Sequence, residues 1–249
     1  MNKKEALKQI DAGKDEEGND YFSLADADEK LCADKEVVLA AVKQTGLVLE
    51  YADEKLKADK EVVLMAIKNN SYALQYANKK FKKDKNFLLI AVKDSGHTLQ
   101  YADNSLMKDK EITLKAVKNT GYALQYADKK FKKDKEVVLA AVKKGGTALQ
   151  HADKKFKKDK EVVLAAVKDN GYAFRYADKK LKSDKIFILE VVKKGGSALQ
   201  HADKKFKKDK EIVLAAVKEN RHAFEHADES LKNDPDILAI VNKNKWKNF

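Results

Sequence analysis

A unit of 25 residues recurs without insertion or deletion from Ala27-Asp28 to Ala227-Asp228. The same step stands at 52, 102, 127, 152, 177 and 202, with Ala77-Asn78 as its variant. So short a unit cannot bury its own apolar face. It must lean on its neighbours, which makes an array with one long, regular surface. Several units are near copies: His151 to Lys168 and His201 to Lys218 differ only at Val162 and Ile212, the mark of growth by duplication.

Within the unit Gly121 to Thr147, the apolar residues Ala123, Leu124, Ala127 and Phe131 fall on one side of a short first helix. Lys132-Lys133 reads as a connector. Asp134 suits the N-cap of a second helix over about Lys135 to Lys144, because its carboxylate can accept from the free N–H groups of the first turn, and Glu136 favours the positive helix end. Val137, Val138, Leu139, Ala141 and Val142 make that helix apolar around most of its circumference, as for the inner layer of a stack. Gly146 is expected to close it in the left-handed conformation. The last unit tests the register: Asp234-Pro235 places Pro at a first helical position, where it is tolerated. Lys43, Lys68, Lys93, Lys118, Lys143, Lys168, Lys193, Lys218 and Lys243 recur near the end of the second helix, where a cation opposes the negative terminus.

The fold class is therefore all-α: an α-solenoid of nine two-helix repeats of 25 residues with terminal caps. Residues 1–20 read as a capping helix and acidic loop, 21–244 as the array, and 245–249 (Lys245-Trp246-Lys247-Asn248-Phe249) as a C-terminal cap. A superperiod of 50 is also visible, since Lys143-Lys144-Gly145-Gly146 returns at 193–196 while Asp169-Asn170-Gly171 lies between.

The net charge of +12 is uneven: residues 1–34 hold 5 Lys against 10 Asp and Glu, and the rest holds 47 basic against 30 acidic residues. Partners of the array are expected to be acidic. Met1-Asn2-Lys3-Lys4-Glu5 lacks the apolar core of a signal peptide, and no apolar run approaches membrane-spanning length, so a cytoplasmic protein without a membrane role is expected. Cys32 is the single cysteine and cannot form an internal disulfide. Asp28, Glu29 and Asp34 oppose its thiolate, so it reads as inert.

The run Asp134-Lys135-Glu136-Val137-Val138 through Ala141-Val142, then Gly146, Ala148-Leu149, Ala152 and Asp159, resembles the repeat family named domain of unknown function four-one-one-six. The resemblance covers about residues 21 to 242. It implies a helical repeat fold without an established enzymatic activity and carries over no catalytic residue. Asn78, Ser71, Arg221 and the altered last unit depart from the pattern and bear on local turns.

His222-Ala223-Phe224-Glu225-His226 matches the H-x-x-E-H zinc pattern, but it aligns with Tyr172-Ala173-Phe174-Arg175-Tyr176 and is explained by drift of one unit. The ladder Asp53, Asp103, Asp128, Asp153, Asp178, Asp203 and Asp228 could suggest metal or acid–base carboxylates. Repeats spaced by about 10 Å leave its members too far apart to share an ion, so the ladder reads as structural hydrogen bonds or ion pairs between units. No P-loop, nucleophile elbow, Rossmann glycine pattern or paired-Cys site is present. No catalytic residue, metal site or cofactor is assigned, and the protein reads as a non-enzyme.

Two positions of the first helix carry rings: Tyr72 and Tyr76, His97 and Tyr101, Tyr122 and Tyr126, Tyr172 and Tyr176, His222 and His226. Four residues apart, they would share one helix edge. The first position varies through Leu47, Thr147 and Ser197, which suits a contact surface, so it should be more exposed than Leu74, Leu99, Leu124 and Leu149. Packing between repeats is the competing reading. Beside the rings run connector lysines, Lys82-Lys83, Lys132-Lys133, Lys157-Lys158 and Lys207-Lys208, with Lys80, Lys130, Lys155 and Lys205 one turn earlier; a solvated face competes with an anion-binding stripe. The candidate contact residues are Tyr72, His97, Tyr122, Tyr172 and His222 with Lys80, Lys83, Lys130, Lys133, Lys155, Lys158, Lys205 and Lys208. The expected function is non-enzymatic recognition of an acidic or amphipathic protein partner along the repeat face, as an effector or inhibitor. The alternative is direct binding of nucleic acid or an acidic nucleoprotein, against which the near absence of Arg counts.

Overall fold

The aspartate of the repeated Asp-Lys step starts each long helix. In the computed structural model, which describes residues 1–13 and 22–243, Asp34 Oδ1 accepts from the N–H groups of Glu36 and Val37 at 3.0 and 3.2 Å, and the helix Lys35–Gln44 follows. Asp59, Asp109, Asp159 and Asp209 make the same two bonds. Pro235 opens the helix Pro235–Lys243, where its missing N–H leaves no bond unmade. The described elements are all helical. Nine long helices are spaced by 25 residues, from Lys35–Gln44 to Pro235–Lys243.

Between long helices the chain does not form one short helix. It forms two pieces, such as the 3₁₀ helix Gly121–Tyr126 and the one-turn α-helix Lys129–Lys132, separated by extended backbone at Ala127. The break tucks Ala127 under the turn, where it is buried, and frees Asp128 to cap the one-turn helix through the N–H of Lys130 at 2.9 Å. The ladder aspartates other than Asp203 are thus local N-caps through their side chains, and their contacts to the preceding repeat come mostly from their main chain; Asp203 instead accepts from the Ser183 hydroxyl of the preceding repeat. Asp53 N donates to Cys32 O at 2.9 Å and Asn78 N to Lys57 O at 2.9 Å; likewise Asp153 N donates to Lys132 O and Asp178 N to Lys157 O, at 2.9 and 2.8 Å. Asn78 also caps Lys80 N at 3.0 Å, so this departure from Asp changes nothing locally.

The contacts divide the chain into two units, residues 1–119 and 120–249. In each, the long helices pack side by side as one layer and the 3₁₀ helices as another. The core between the layers comes from Val37, Val38, Ala41 and Val42 and their equivalents, facing Leu49, Leu74 and Leu99 in the first unit and Leu124, Leu149 and Leu199 in the second. Each fully buried Val or Leu contributes about 1.5–3 kcal/mol. The long helix is not apolar all round: Leu39, Ala40 and their equivalents are half-buried or exposed on an outward face, and Lys43 beside them is exposed.

Lysine at the first helical position ties consecutive repeats. Lys35 Nζ lies 2.8 Å from Asp59 and 2.9 Å from Glu61, and Lys85 and Lys135 repeat the arrangement on Asp109 with Glu111 and Asp159 with Glu161. The N-terminal helix Lys3–Ala12 joins the same system. It opens on a reciprocal capping box of Asn2 and Glu5, packs on Lys35–Gln44, and places Lys3 at 3.0 Å from Asp34 and 2.7 Å from Glu36. It makes the contacts of a long repeat helix. Most of the acidic loop and the segment 245–249 lie outside the described residues.

Gly146 is not left-handed; the only described residue with positive φ is Gly13. The long helices end on extended residues such as Thr45, Asn70 and Gly145. What requires glycine is proximity: a Cβ on Gly146 would stand 2.2 Å from the carbonyl oxygen of Ala166 in the next repeat, and one on Gly46 2.3 Å from that of Ala66. Gly145 has φ −165° and 3.7 Å of room. Gly146→Ala is therefore expected to cost about 1–3 kcal/mol through backbone displacement. Gly145→Ala should be neutral or stabilise by up to about 1 kcal/mol by restricting the unfolded chain. Urea unfolding of the two single variants checks the contrast.

Candidate partner-binding surface

The 3₁₀ geometry changes how the rings meet. With three residues per turn, positions four apart point about a third of a turn away from each other, so Tyr72 and Tyr76 do not share an edge. The first-position ring instead meets the second-position ring of the following repeat. Tyr72 lies edge-on to Tyr101 with centroids 6.0 Å apart, Tyr122 to His151 at 4.7 Å, and Tyr172 to His201 at 6.0 Å. These pairs follow the superperiod of 50. Tyr72, Tyr122 and Tyr172 remain 47%, 40% and 50% exposed, whereas Leu74, Leu99, Leu124 and Leu149 are fully buried. His222 is exposed; Leu47, His97, Thr147 and Ser197 are half-buried. Asn70, Asn170 and Asn220 cap the turns of Tyr72, Tyr172 and His222 by accepting from their N–H groups at 2.9–3.0 Å.

The connector lysines separate into two kinds. Lys82, Lys132, Lys157 and Lys207 turn inward and donate to the main-chain carbonyls of Gln75, Gln125, Gln150 and Gln200 at 2.6–2.8 Å, closing the free end of each 3₁₀ helix. Burial pushes the ammonium groups of Lys82, Lys132 and Lys157 below their ordinary pKa. Their neighbours Lys83, Lys133, Lys158 and Lys208 are exposed, as are Lys80, Lys130, Lys155 and Lys205. Each of the latter four stands 4.8–5.0 Å over the ring of the adjacent Phe81, Phe131, Phe156 or Phe206. Such a cation–π contact fixes the ammonium while leaving its donors to solvent.

The His222–His226 motif does not converge. His222 is exposed and lies 3.5 Å from Glu225, and His226 is half-buried on a different side of the 3₁₀ turn Arg221–His226. Among the described residues no three His, Cys, Asp or Glu side chains gather as metal ligands. Cys32 is half-buried, its thiol pKa pushed up by burial and by Asp28 and Glu29. No described helix is long and apolar enough to cross a membrane.

The family described as Domain of unknown function (DUF4116) matches residues 18–57, 59–107, 84–132, 109–157, 134–182, 184–232 and 209–249. The chain belongs to this family. No curated protein and no solved structure matches it. In this DUF4116 chain the ion-pairing lysines such as Lys35, Lys85 and Lys135, and the outward face of the long helices, escaped the sequence reading. A helical wheel from Glu36 through Leu39 and Ala40 to Lys43 carries the signal for the second.

His151 and His201 bury Nε2 without a protein partner. Burial lowers both imidazole pKa values, reinforced for His151 by Lys132 and Lys157 and for His201 by Lys182 and Arg175. The unfolded chain therefore takes up these protons before the folded chain does. Stability is complete above the unfolded value near 6.5 and is expected to fall as pH drops through it toward the lower folded values. The double variant His151→Gln, His201→Gln should flatten thermal unfolding midpoints across that window. The capping aspartates titrate in a separate, more acidic window: the Lys35 ammonium holds Asp59 below its ordinary pKa, so its stabilisation is lost only as pH falls through about 4 and below.

Proposed function

We propose that this protein is a non-enzymatic cytoplasmic binding module that recognises an acidic or amphipathic protein partner along its repeats and acts by occupying that partner's surface. The observation that carries this reading is the recurrence, every 50 residues, of an exposed tyrosine: Tyr72, Tyr122 and Tyr172 each rest on a ring of the next repeat. After Tyr72 and Tyr122, short helices hold the exposed Lys80 and Lys130 over Phe81 and Phe131. A supported aromatic ring loses little entropy on binding, and fixed cations in the same repeat favour carboxylates. The exposed lysines also support a second reading, direct contact with a polyanion such as nucleic acid or an acidic nucleoprotein.

Affinity capture with the purified protein, followed by mass spectrometry with and without nuclease, tests both. Under the first reading, partner recovery survives nuclease, and replacing Tyr72, Tyr122 and Tyr172 together by Ser lowers it at least about tenfold while thermal unfolding shifts by only a few degrees. A large loss of stability would assign the rings to packing between repeats and defeat the binding strip. Recovery that disappears with nuclease, together with oligonucleotide affinity falling steeply with salt, would favour the polyanion reading. Metal-dependent turnover abolished by His222→Ala would overturn both.

A further inference from the structure

The long helices present a second face with its own chemistry. Glu36, Leu39, Ala40 and Lys43 fall at i, i+3, i+4 and i+7, so they line one side of their helix, away from the buried stripe of Val37, Val38, Ala41 and Val42. Where consecutive long helices meet, this face is grooved. In the first unit a groove of about 450 Å³ lies over Leu39, Ala40, Lys43 and Met65, and one of about 460 Å³ over Leu64, Met65 and Lys68. In the second unit a groove of about 390 Å³ lies over Leu189, Leu214, Ala215, Lys193 and Lys218.

Two aliphatic side chains mark the same face. Ile90 stands where the first repeat has Ala40 and is 41% exposed; Ile186 stands where other repeats have Glu36 or Glu61 and is 82% exposed. The isoleucine at 186 leaves Lys160 with Asp184 as its single carboxylate, where Lys35, Lys85 and Lys135 each hold two. Core packing does not explain an isoleucine so exposed.

The charge around the grooves is lopsided. At the N-terminal rim Glu61 is neutralised by Lys35 at 2.9 Å, and Glu211 stands 3.7 Å from Lys185. At the C-terminal rim Lys43, Lys68, Lys193 and Lys218 are exposed and enter none of the ion pairs among the described residues. Asp11, Asp94, Asp169 and Glu219 also border grooves, fewer than the lysines that end the long helices, and the Asp169 carboxylate is occupied by the Gly146 N–H at 2.6 Å. Helices packed about 8–10 Å apart set the groove spacing, and seven residues of an α-helix advance about 10.5 Å, so apolar side chains at heptad spacing match successive grooves.

We propose that the outward face of the long helices is a separate interaction surface for an acidic amphipathic helix of a protein partner, laid across the row within a unit. Its heptad-spaced apolar side chains enter the grooves and its carboxylates face Lys43 and Lys68 in the first unit, or Lys193 and Lys218 in the second. A second copy of this chain is disfavoured as the occupant, because it would bring its own lysine rim against this one.

The probe is a fluorescent synthetic peptide of about three heptads with leucine on one face and glutamate on its flanks, titrated by anisotropy against the full chain. Controls are a peptide of the same composition with the leucines shuffled and a mixed-sequence oligonucleotide. The heptad peptide should bind at least about tenfold tighter than the shuffled one, and Lys43→Gln, Lys68→Gln, Lys193→Gln, Lys218→Gln combined should weaken it by about tenfold or more. Ile186→Glu, which gives Lys160 its second carboxylate and so keeps the fold, should weaken it severalfold. Replacement of Tyr72, Tyr122 and Tyr172 by Ser should leave this binding unchanged, so failure here and failure of the tyrosine strip are told apart. Equal binding of heptad and shuffled peptides, binding of the oligonucleotide alone, or no peptide binding would each overturn the proposal.

Discussion

In most repeats one carboxylate does two jobs, and the array depends on their coincidence. Asp59 Oδ1 accepts from the N–H groups that open its helix, while Oδ2 accepts from Lys35 of the preceding repeat at 2.8 Å. A surface ion pair alone contributes little, on the order of 0–1 kcal/mol, and a cap about 1 kcal/mol. Joined on one side chain, however, they fix the start of each helix relative to the one before it. Helices of ten residues are marginal in isolation, so register has to come from the neighbour. The N-terminal helix obeys the same rule through Lys3.

The capping aspartates and Pro235 were legible because they answer to the chemistry of single residues. The tight 3₁₀ winding was not. Apolar residues at i, i+1 and i+4 over less than two turns fit either helix, and only the break at Ala127 and the cap by Asp128 distinguish them. That ambiguity carried into the site: an α-helix pairs Tyr72 with Tyr76, whereas the actual winding sends Tyr72 to Tyr101 in the next repeat. Glycine misled for a related reason. A glycine after a helix ordinarily signals left-handed backbone, but here the carbonyl of Ala166 crowds Gly146 from a neighbouring helix, and a contact 20 residues away leaves no local trace.

The superperiod of 50 acquires a physical meaning from the turns. In one set of repeats, at Tyr72 and Tyr172, an asparagine, Asn70 or Asn170, caps the 3₁₀ helix from within, whereas Thr120 before Tyr122 makes no such side-chain cap, and all three rings are exposed. In the other set the turn is held from outside: the Gly46 N–H donates to Asn69 Oδ1 at 2.6 Å and that of Gly96 to Asn119 Oδ1 at 2.8 Å, and residues 47 and 97 are half-buried. Exposed first-position rings therefore recur at every second repeat.

The basic character of the chain has to be apportioned before it says anything about partners. Lysines of the Lys35 type are held by two carboxylates, and those of the Lys82 type are half-buried on main-chain carbonyls. Neither kind is free to meet a ligand without loosening the stack. What remains are ammonium groups fixed over phenylalanine rings, their exposed neighbours Lys83, Lys133, Lys158 and Lys208, and those at the ends of the long helices, which border the apolar grooves. Cations interleaved with tyrosine or isoleucine suit carboxylates on an apolar scaffold better than a bare phosphate chain, which would leave the apolar part of the surface uncovered.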